Sequence, residues 1–413
     1  MGMTMAEKIL ARHSDQKEVR PGDLVGVSVD WAVDLEMIFG RHEPKPIKVF
    51  DPGRIILVAD HLVPAPTVEL ANGLTRMRRY AQEMGIRNIF DIGNHGISHQ
   101  IVAENGFALP GQILACTDSH TVAAGAFNCV ARGMGIPEMM YIMAKGRTWY
   151  ICGPTVRFVL TGELNPRVQP RDVLHHIADV HGDFVNTNLE FVGDGAASIP
   201  VPGRQTISTM CAEVSAEFAL WEADDVLLRY LDGRAKAPFE PAFADPDAKF
   251  AAVHTINLSE LEPKVALPGA VPGNVKPARE LNETKLTHCF IGSCANGRME
   301  DFAVAAEIVK GRHVHPDVRF IVTPSSQAQL LEATKRGYVE TLLEAGAVVT
   351  ASTCGACFGG HMGVLGDDDI CITASTRNYK GRMGANGAQI YLGSPATVAA
   401  SAVRGVITDP REL

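Results

Sequence analysis

The chain has 413 residues, 46% of them apolar and 21% charged, with 39 glycines and a formal net charge of −9. That length predicts two or three domains, and the acidic balance excludes a general affinity for nucleic acid. No apolar run reaches the ~18 to 20 residues needed to span a bilayer, and Met1 to Arg12 lacks the apolar core of a secretory signal. Nine cysteines, odd in number and scattered, fit a reducing compartment and not a disulfide framework, so cytoplasm is the expected location.

In chain order, a helix is expected from Met5 to Arg12, then a strand over Leu24 to Val29. Arg54 to Ala59 (R-I-I-L-V-A) reads as a stronger strand, running directly into Asp60-His61. Polar residues just past the C-terminal end of a buried strand lie where open α/β sheets place their ligands. The spacing of Leu70, Leu74, Met77 and Tyr80 predicts a helix over Val68 to Glu83. Another strand-loop begins at Asn88 to Asp91 and reaches G-N-H-G-I-S-H-Q, with His95 and His99. A short strand, Ile113 to Cys116, then feeds Asp118-Ser119-His120-Thr121 and a small-residue helix. Taken alone, D-S-H-T reads equally as a helix cap with an incidental histidine. Two such strand-end Asp/His groups plus His99 favour acid/base work, since a carboxylate fixes a histidine's tautomer and supports its charged form.

A second domain opens with a strand over Val156 to Leu160, followed by a helix from Pro170 to Val180 and the strand-like N-T-N-L-E-F-V. Arg204 to Trp221 reads as one buried helix, with Glu213 and Glu217 four apart on what could be a solvated edge. Pro263 to Thr284, with four prolines and little periodicity, is the expected linker. The third domain brings strand Thr287 to Ile291, the Cys294 loop and a helix from Glu300 to Val309. Strands Arg319 to Val322 and Ala347 to Thr350 follow, the latter leading into Cys354. Repeated strand, polar loop and helix define an α/β chain with largely parallel sheets, divided as 1–154, 155–268 and 269–413.

Cys294 followed far downstream by Cys354-x-x-Cys357 admits three readings. Cys289 and His361 could complete a four-ligand zinc site. A redox C-x-x-C needs a helix opening that the sequence does not offer. Three thiolates could instead hold an iron–sulfur cluster with one iron left free for Lewis-acid chemistry, whereas electron-transfer clusters usually take four thiolates.

Together, G-S-C-A-N-G-R-M-E-D, C-G-A-C-F-G-G-H-M-G-V-L, S-T-R-N-Y-K-G-R-M-G, Y-L-G-S-P-A-T-V-A-A-S-A-V and D-S-H-T closely resemble the aconitase superfamily over essentially the whole chain. The nearest branch is that of 3-isopropylmalate dehydratase large subunits, with homoaconitase and 2,3-dimethylmalate dehydratase as sister activities. The resemblance implies three α/β/α subdomains around a cleft. In it, one [4Fe-4S] cluster per chain would be held by Cys294, Cys354 and Cys357, one iron staying open. It implies that Asp60 with His61, Asp118 with His99, and Glu213 with His120 are acid/base and orienting pairs, with Ser119 at the site. Arg377 and Arg382 would grip substrate carboxylates, as bidentate arginine geometry suits, and Ser326 would assist. The implied activity is a hydro-lyase on a malate-type 2-hydroxy diacid, as in leucine biosynthesis. The catalytic base is expected on a separate small swivel-domain subunit, because fused relatives carry that domain after the region where this chain stops, so the chain alone should be nearly inactive.

Three departures from the family pattern stand out: Thr376 and Thr209 replace asparagines, and Cys116 occupies a Gly-Ala position. Losing two amide donors near the iron suggests a divergent branch acting on another substituted malate, such as dimethylmalate, maleate or citraconate. A reading of another class is RNA binding by the cluster-free protein, against which the acidic balance argues. Arg298 could serve the cluster loop or merely satisfy carbonyls. His175, His176, His181, His254, His313 and His315 are given no role, and Cys129, Cys152, Cys211 and Cys371 read as small core residues.

Overall fold

Strand Trp31–Leu35 is the start of the winding in a computed structural model that describes residues 2–40 and 44–413. It pairs in parallel with Ile55–Val58 on one side and Ile113–Cys116 on the other. Asn88–Phe90 and Val130–Gly133 extend the sheet outward. The strand order is therefore third, second, first, fourth, fifth. The direction of winding reverses between Trp31–Leu35 and Ile113–Cys116, and such a reversal opens a crevice at the strands' C-terminal ends. Every residue of the three central strands is buried, as expected of a parallel sheet covered on both faces.

The same winding recurs later in the chain. His288–Ile291 is flanked by Arg319–Val322 and then Val348–Val349 on one side. Ile370–Thr373 and then Gln389–Leu392 lie on the other. This second reversal puts the ends of His288–Ile291 and Ile370–Thr373 beside one another. Between these two sheets in sequence, Thr155–Thr161 pairs in parallel with Asn188–Val192 and Ala252–Asn257, with Ala219–Trp221 on the outer side of Asn188–Val192.

Most expected elements form where the pattern puts them. Met5–Arg12 is a helix capped by Thr4, whose hydroxyl accepts from the Glu7 amide. Helices also span Val68–Met84, Pro170–His181 and Met299–Val309. Leu24–Ser28 is a strand, but it pairs antiparallel with Arg147–Ile151 in a separate two-stranded ribbon. The small-residue helix after D-S-H-T is a 3-10 segment, Thr121–Phe127.

Two expectations fail. The single helix over Arg204 to Trp221 is instead a helix at Val201–Met210, a 3-10 turn at Cys211–Val214 and a strand at Ala219–Trp221. Ser215, at φ 60°, reverses the chain, and the apolar run folds back on itself. The Trp221 indole then donates to Ser208 Oγ at 3.0 Å and stacks on Phe191. Apolar continuity outlasted the helix because both arms are buried. The proline-rich stretch from Pro263 is not a free linker either. Lys264–Ala266 and Val275–Pro277 form a hairpin on the edge of the third sheet, where an edge proline costs no ladder bond. The Asn274 side chain closes its loop by donating to the Leu267 and Ala270 carbonyls.

Candidate active site

Three loops of the first sheet converge at its reversal point. Glu36 directly follows the central strand, and its carboxylate accepts from the amides of Asp60, His61 and Leu62, each at 2.8 Å. Those three bonds fix the turn that carries Asp60 and His61. Asp60 Oδ2 accepts from the Ser98 amide at 2.7 Å, at the start of the segment carrying His99. Gly133 closes the next strand against Asp118, where an added Cβ would lie 2.4 Å from the Asp118 carbonyl oxygen. Only glycine lets the D-S-H loop lie this close.

The carboxylate and histidine side chains paired from the sequence lie together in the structure. His61 Nδ1 lies 3.3 Å from Asp60 and its Nε2 3.7 Å from Asp118. His99 Nε2 is 2.8 Å from Asp118 Oδ1, which also accepts from the His120 amide at 2.8 Å. His120 Nε2 is 2.8 Å from Glu213 Oε1, and the Arg377 Nε donates to that same oxygen at 2.8 Å. Asp118 is thus the hub of three histidines, and Glu213 joins the network to Arg377.

Charge follows this geometry. Burial opposes protonation of His61, yet Asp60, Asp118 and Glu36 lift it to about 10. Burial would raise Asp118, but His120 and His99 hold its carboxyl well below the usual range. Glu213 is likewise held down against burial by His120 and Arg377. His120 is held well above its ordinary value, against burial, by Cys294, Asp118 and Glu213. At neutral pH the cluster of side chains therefore contains protonated imidazoles beside ionised carboxylates.

The second reversal supplies the cysteines. Cys294 follows strand His288–Ile291 through Gly292 and Ser293, and Ser293 is held at φ 77° with its hydroxyl buried and unpartnered. A non-glycine residue in that region costs of order 1–3 kcal/mol and persists where the surroundings enforce it. Cys354 precedes a 3-10 turn, Gly355–Phe358, that carries Cys357. All three thiols are buried, and they line one hollow together with Asp60, His61, His99, Asp118, His120 and Arg382. Thr353 Oγ1 donates to the His61 carbonyl at 2.7 Å, tying the cysteine loop to the first sheet. A hydrogen bond from Cys354 draws the Cys357 thiol down, against burial and with help from Arg382, while Cys354 is pushed up in exchange.

Neither Cys289 nor His361 lines this hollow. Cys289 is a core residue of the sheet and His361 rests on Thr353 at 3.3 Å. The fourth-ligand set for zinc considered from the sequence is therefore not assembled. Three converging thiols, one of them biased toward thiolate and flanked by cationic side chains, do suit an iron–sulfur cluster, in which each thiolate binds its own iron.

Other named residues fall nearby or elsewhere. Ser119 and Arg377 line an adjoining hollow of about 220 Å³ with Arg132 and Glu217. Ser326 caps the helix Gln327–Lys335 and donates to Glu104 at 2.9 Å, outside the cysteine hollow. Thr376 Oγ1 lies 3.7 Å from Cys357 Sγ, whereas Thr209 Oγ1 is spent on the Gln205 carbonyl of its own helix. Arg298 is buried and donates to the Cys294 and Ala295 carbonyls. Glu36 was missed in the sequence. Its signal was the W-A-V-D-L strand before it, disguised by the buried Asp34.

Cysteines and carboxylate–histidine pairs thus meet where two 3-2-1-4-5 windings reverse. The chain matches the model of the Aconitase family (aconitate hydratase) over residues 56–276 and 269–405, and it belongs to that family. It is 50% identical to the 3-isopropylmalate dehydratase large subunit of Mycolicibacterium smegmatis, over 100% of this chain and 98% of that protein. The protein of the same name from Halothermothrix orenii is 40% identical over the full length of both. A probable methanogen homoaconitase large subunit from Methanothermobacter thermautotrophicus is 39% identical over 99% of this chain and 98% of that one. In fold, the chain resembles the crystal structure of Thermococcus kodakaraensis aconitase X (holo-form). The TM-score is 0.50 at 11% identity, with 88% of this chain and 85% of that one covered.

Proposed function

We propose that this chain is the cluster-bearing large subunit of a hydro-lyase acting on a malate-type 2-hydroxy diacid, with 3-isopropylmalate as the substrate its relatives' names favour. The observation that carries the reading is the hollow where Cys294, Cys354 and Cys357 face the Asp118 hub. Those cysteines would hold a [4Fe-4S] cluster, which when bound supplies an open iron that polarises the substrate hydroxyl.

The chain's own residues do the rest. Arg382, beside Cys357 at 3.8 Å, and Arg377, oriented by Glu213, would each take a substrate carboxylate. His61 is protonated at neutral pH and positioned by Asp60, so it is the donor to the departing hydroxyl. Asp118, fixed by His99 and His120 and 3.7 Å from His61 Nε2, would stabilise the His61 imidazolium until its proton passes to the hydroxyl, which leaves as water. Ser119 would hydrogen-bond the substrate from the adjoining hollow. The base that removes the carbon-bound proton is assigned to a small partner subunit, in keeping with the large-subunit names of the relatives. Of the departures, Thr376 lies beside Cys357 and Cys116 beside Ser98, whereas Thr209 is turned to its own helix.

The test is steady-state kinetics of the anaerobically purified pair on isopropylmalate, dimethylmalate and maleate. A clear kcat/KM preference for isopropylmalate supports the reading, and turnover of dimethylmalate or maleate alone moves the chain to a sister activity. No turnover of any of the three, by a chain that carries iron and sulfide, overturns the assignment of substrate class.

A further inference from the structure

Two guanidinium groups lie buried behind the cysteine loops, and among the described residues neither is in contact with a carboxylate. Arg171, on the helix Pro170–His181, is 0% exposed. It donates from Nε and Nη2 to Asn296 Oδ1 at 3.2 and 2.8 Å, from Nη1 to the Ser375 carbonyl at 2.9 Å, and from Nη2 to the Ala374 carbonyl. Arg298 is 2% exposed. It donates to Gln100 Oε1 at 2.9 Å, Thr206 Oγ1 at 3.3 Å, and the carbonyls of Ala295 at 2.7 Å and Cys294 at 2.6 Å. Every one of these acceptors is neutral. Asp301, whose oxygens accept from the Asn296 side chain and the amides of Gly297 and Arg298, attracts both guanidinium groups across space and not through a hydrogen bond.

Burying a charge is costly unless it is compensated, and a buried cation is normally found in an ion pair. Arg204 in this chain follows that rule, meeting Asp224 at 2.6 Å. Arg171 and Arg298 have their hydrogen bonds satisfied by neutral groups; among the described residues their acids, Asp301 with Asp172 for Arg171 and Glu300 for Arg298, act only at a distance. They also adjoin the cysteine set: Arg298 holds the Cys294 carbonyl, and Arg171 holds Asn296 and the 374–375 segment that leads to Thr376 beside Cys357. A cluster carried on three thiolates is anionic overall.

We propose that Arg171 and Arg298 are positioning residues that serve as built-in counter-charges for the anionic cysteine-bound cluster and brace its loops. The inference rests on the assignment of a cluster to these cysteines. Arg171 reaches across from the second sheet's unit to join the Cys294 loop, through Asn296, to the 374–375 segment. Arg298 ties the Cys294 loop to Gln100 of the first unit and Thr206 of the second. Groups that orient ligands from behind in this way typically change metal affinity about 10- to 100-fold when removed.

The experiment compares the parent chain with R171Q, R171K, R298Q and R298K, each reconstituted anaerobically with ferrous iron and sulfide. Three quantities are read: the rate of iron release to a chelator, the cluster's reduction potential, and the rise in thermal midpoint on loading relative to the apo chain. The glutamine variants should release iron roughly tenfold faster, reduce at more negative potential, and gain less midpoint on loading. The lysine variants should recover the potential toward the parent value, because charge and not shape sets it. A merely structural role lowers apo and loaded midpoints alike and leaves the potential unmoved, which overturns the proposal. If a glutamine variant fails to fold, its lysine counterpart decides: parent-like potential with faster release supports the proposal, and a shifted potential despite retained charge overturns it. A parent chain that takes up no iron and sulfide refutes the cluster assignment itself, a different outcome from variants that match a loaded parent.

Discussion

Removing Glu36 should loosen the turn that presents Asp60 and His61. Its buried carboxylate satisfies three amides, with Oε1 accepting from His61 and Leu62 and Oε2 from Asp60. In Glu36→Gln the amide oxygen can keep two of these, but its NH2 then faces the Asp60 N–H, donor against donor. One orphaned buried donor costs about 1–3 kcal/mol. Glu36→Ala orphans all three, with roughly three times that cost as an upper bound because water can enter the space. Hydrogen exchange at residues 60–62 reads the effect locally, and 1–3 kcal/mol corresponds to roughly 5- to 150-fold faster exchange in the glutamine variant. Since a displacement of about 1 Å at reacting groups can cost ~100-fold in rate, kcat of the reconstituted pair should fall in parallel. Parent-like exchange at 60–62 together with parent-like kcat in Glu36→Ala would refute this reasoning.

Asp34→Asn tests a buried acid with no role in the chemistry. Among the described residues Asp34 Oδ2 has no hydrogen-bond partner, while Oδ1 accepts from Thr117 and Leu35, and burial pushes the group from 3.8 up to about 7. The folded chain therefore binds the extra proton between about pH 4 and 7, and stability falls as pH rises through that window, by about 4 kcal/mol in all. The substitution should raise the thermal midpoint at pH 8 and leave it near the parent value at pH 4, and an equal rise at both refutes the ionisation argument. Glu213→Gln should lower kcat about 10²- to 10⁴-fold, because it loosens His120 and Arg377 together; a change confined to KM would restrict Glu213 to binding. Gly133→Ala drives a methyl into the Asp118 backbone and should cost about 1–3 kcal/mol of stability with a larger loss of activity, whereas unchanged kcat would show that the D-S-H loop can shift freely.

The sequence was most readable where a single physical signal dominated. Apolar strands ending in Asp or His located Asp60, Asp118 and their partners, because buried parallel strands are continuous apolar runs and their polar ends stand out. Capped amphipathic helices such as Met5–Arg12 and Val68–Met84 were equally plain. Legibility ended where tertiary contacts override local pattern. Trp31–Leu35, the central strand, escaped because a buried aspartate interrupts it. The 204–221 run hid a chain reversal at Ser215 under continuous apolar character. The 3-2-1-4-5 winding shared by the first sheet and the five parallel strands of the third leaves no mark as a sequence repeat, since strand order is fixed by packing and not by residue identity. Glu36 and Arg171 act on loops more than twenty residues away in the chain, and no spacing rule connects them.

The most direct test is metal and sulfide analysis of the anaerobically purified chain, co-expressed with the small subunit proposed for it, with the visible spectrum followed on exposure to air. The account predicts roughly four iron and four sulfide per chain, bleaching in oxygen, and loss of both in Cys294→Ser. Stoichiometric zinc without sulfide would contradict it, leaving the fold intact but removing the chemistry assigned to Cys294, Cys354 and Cys357.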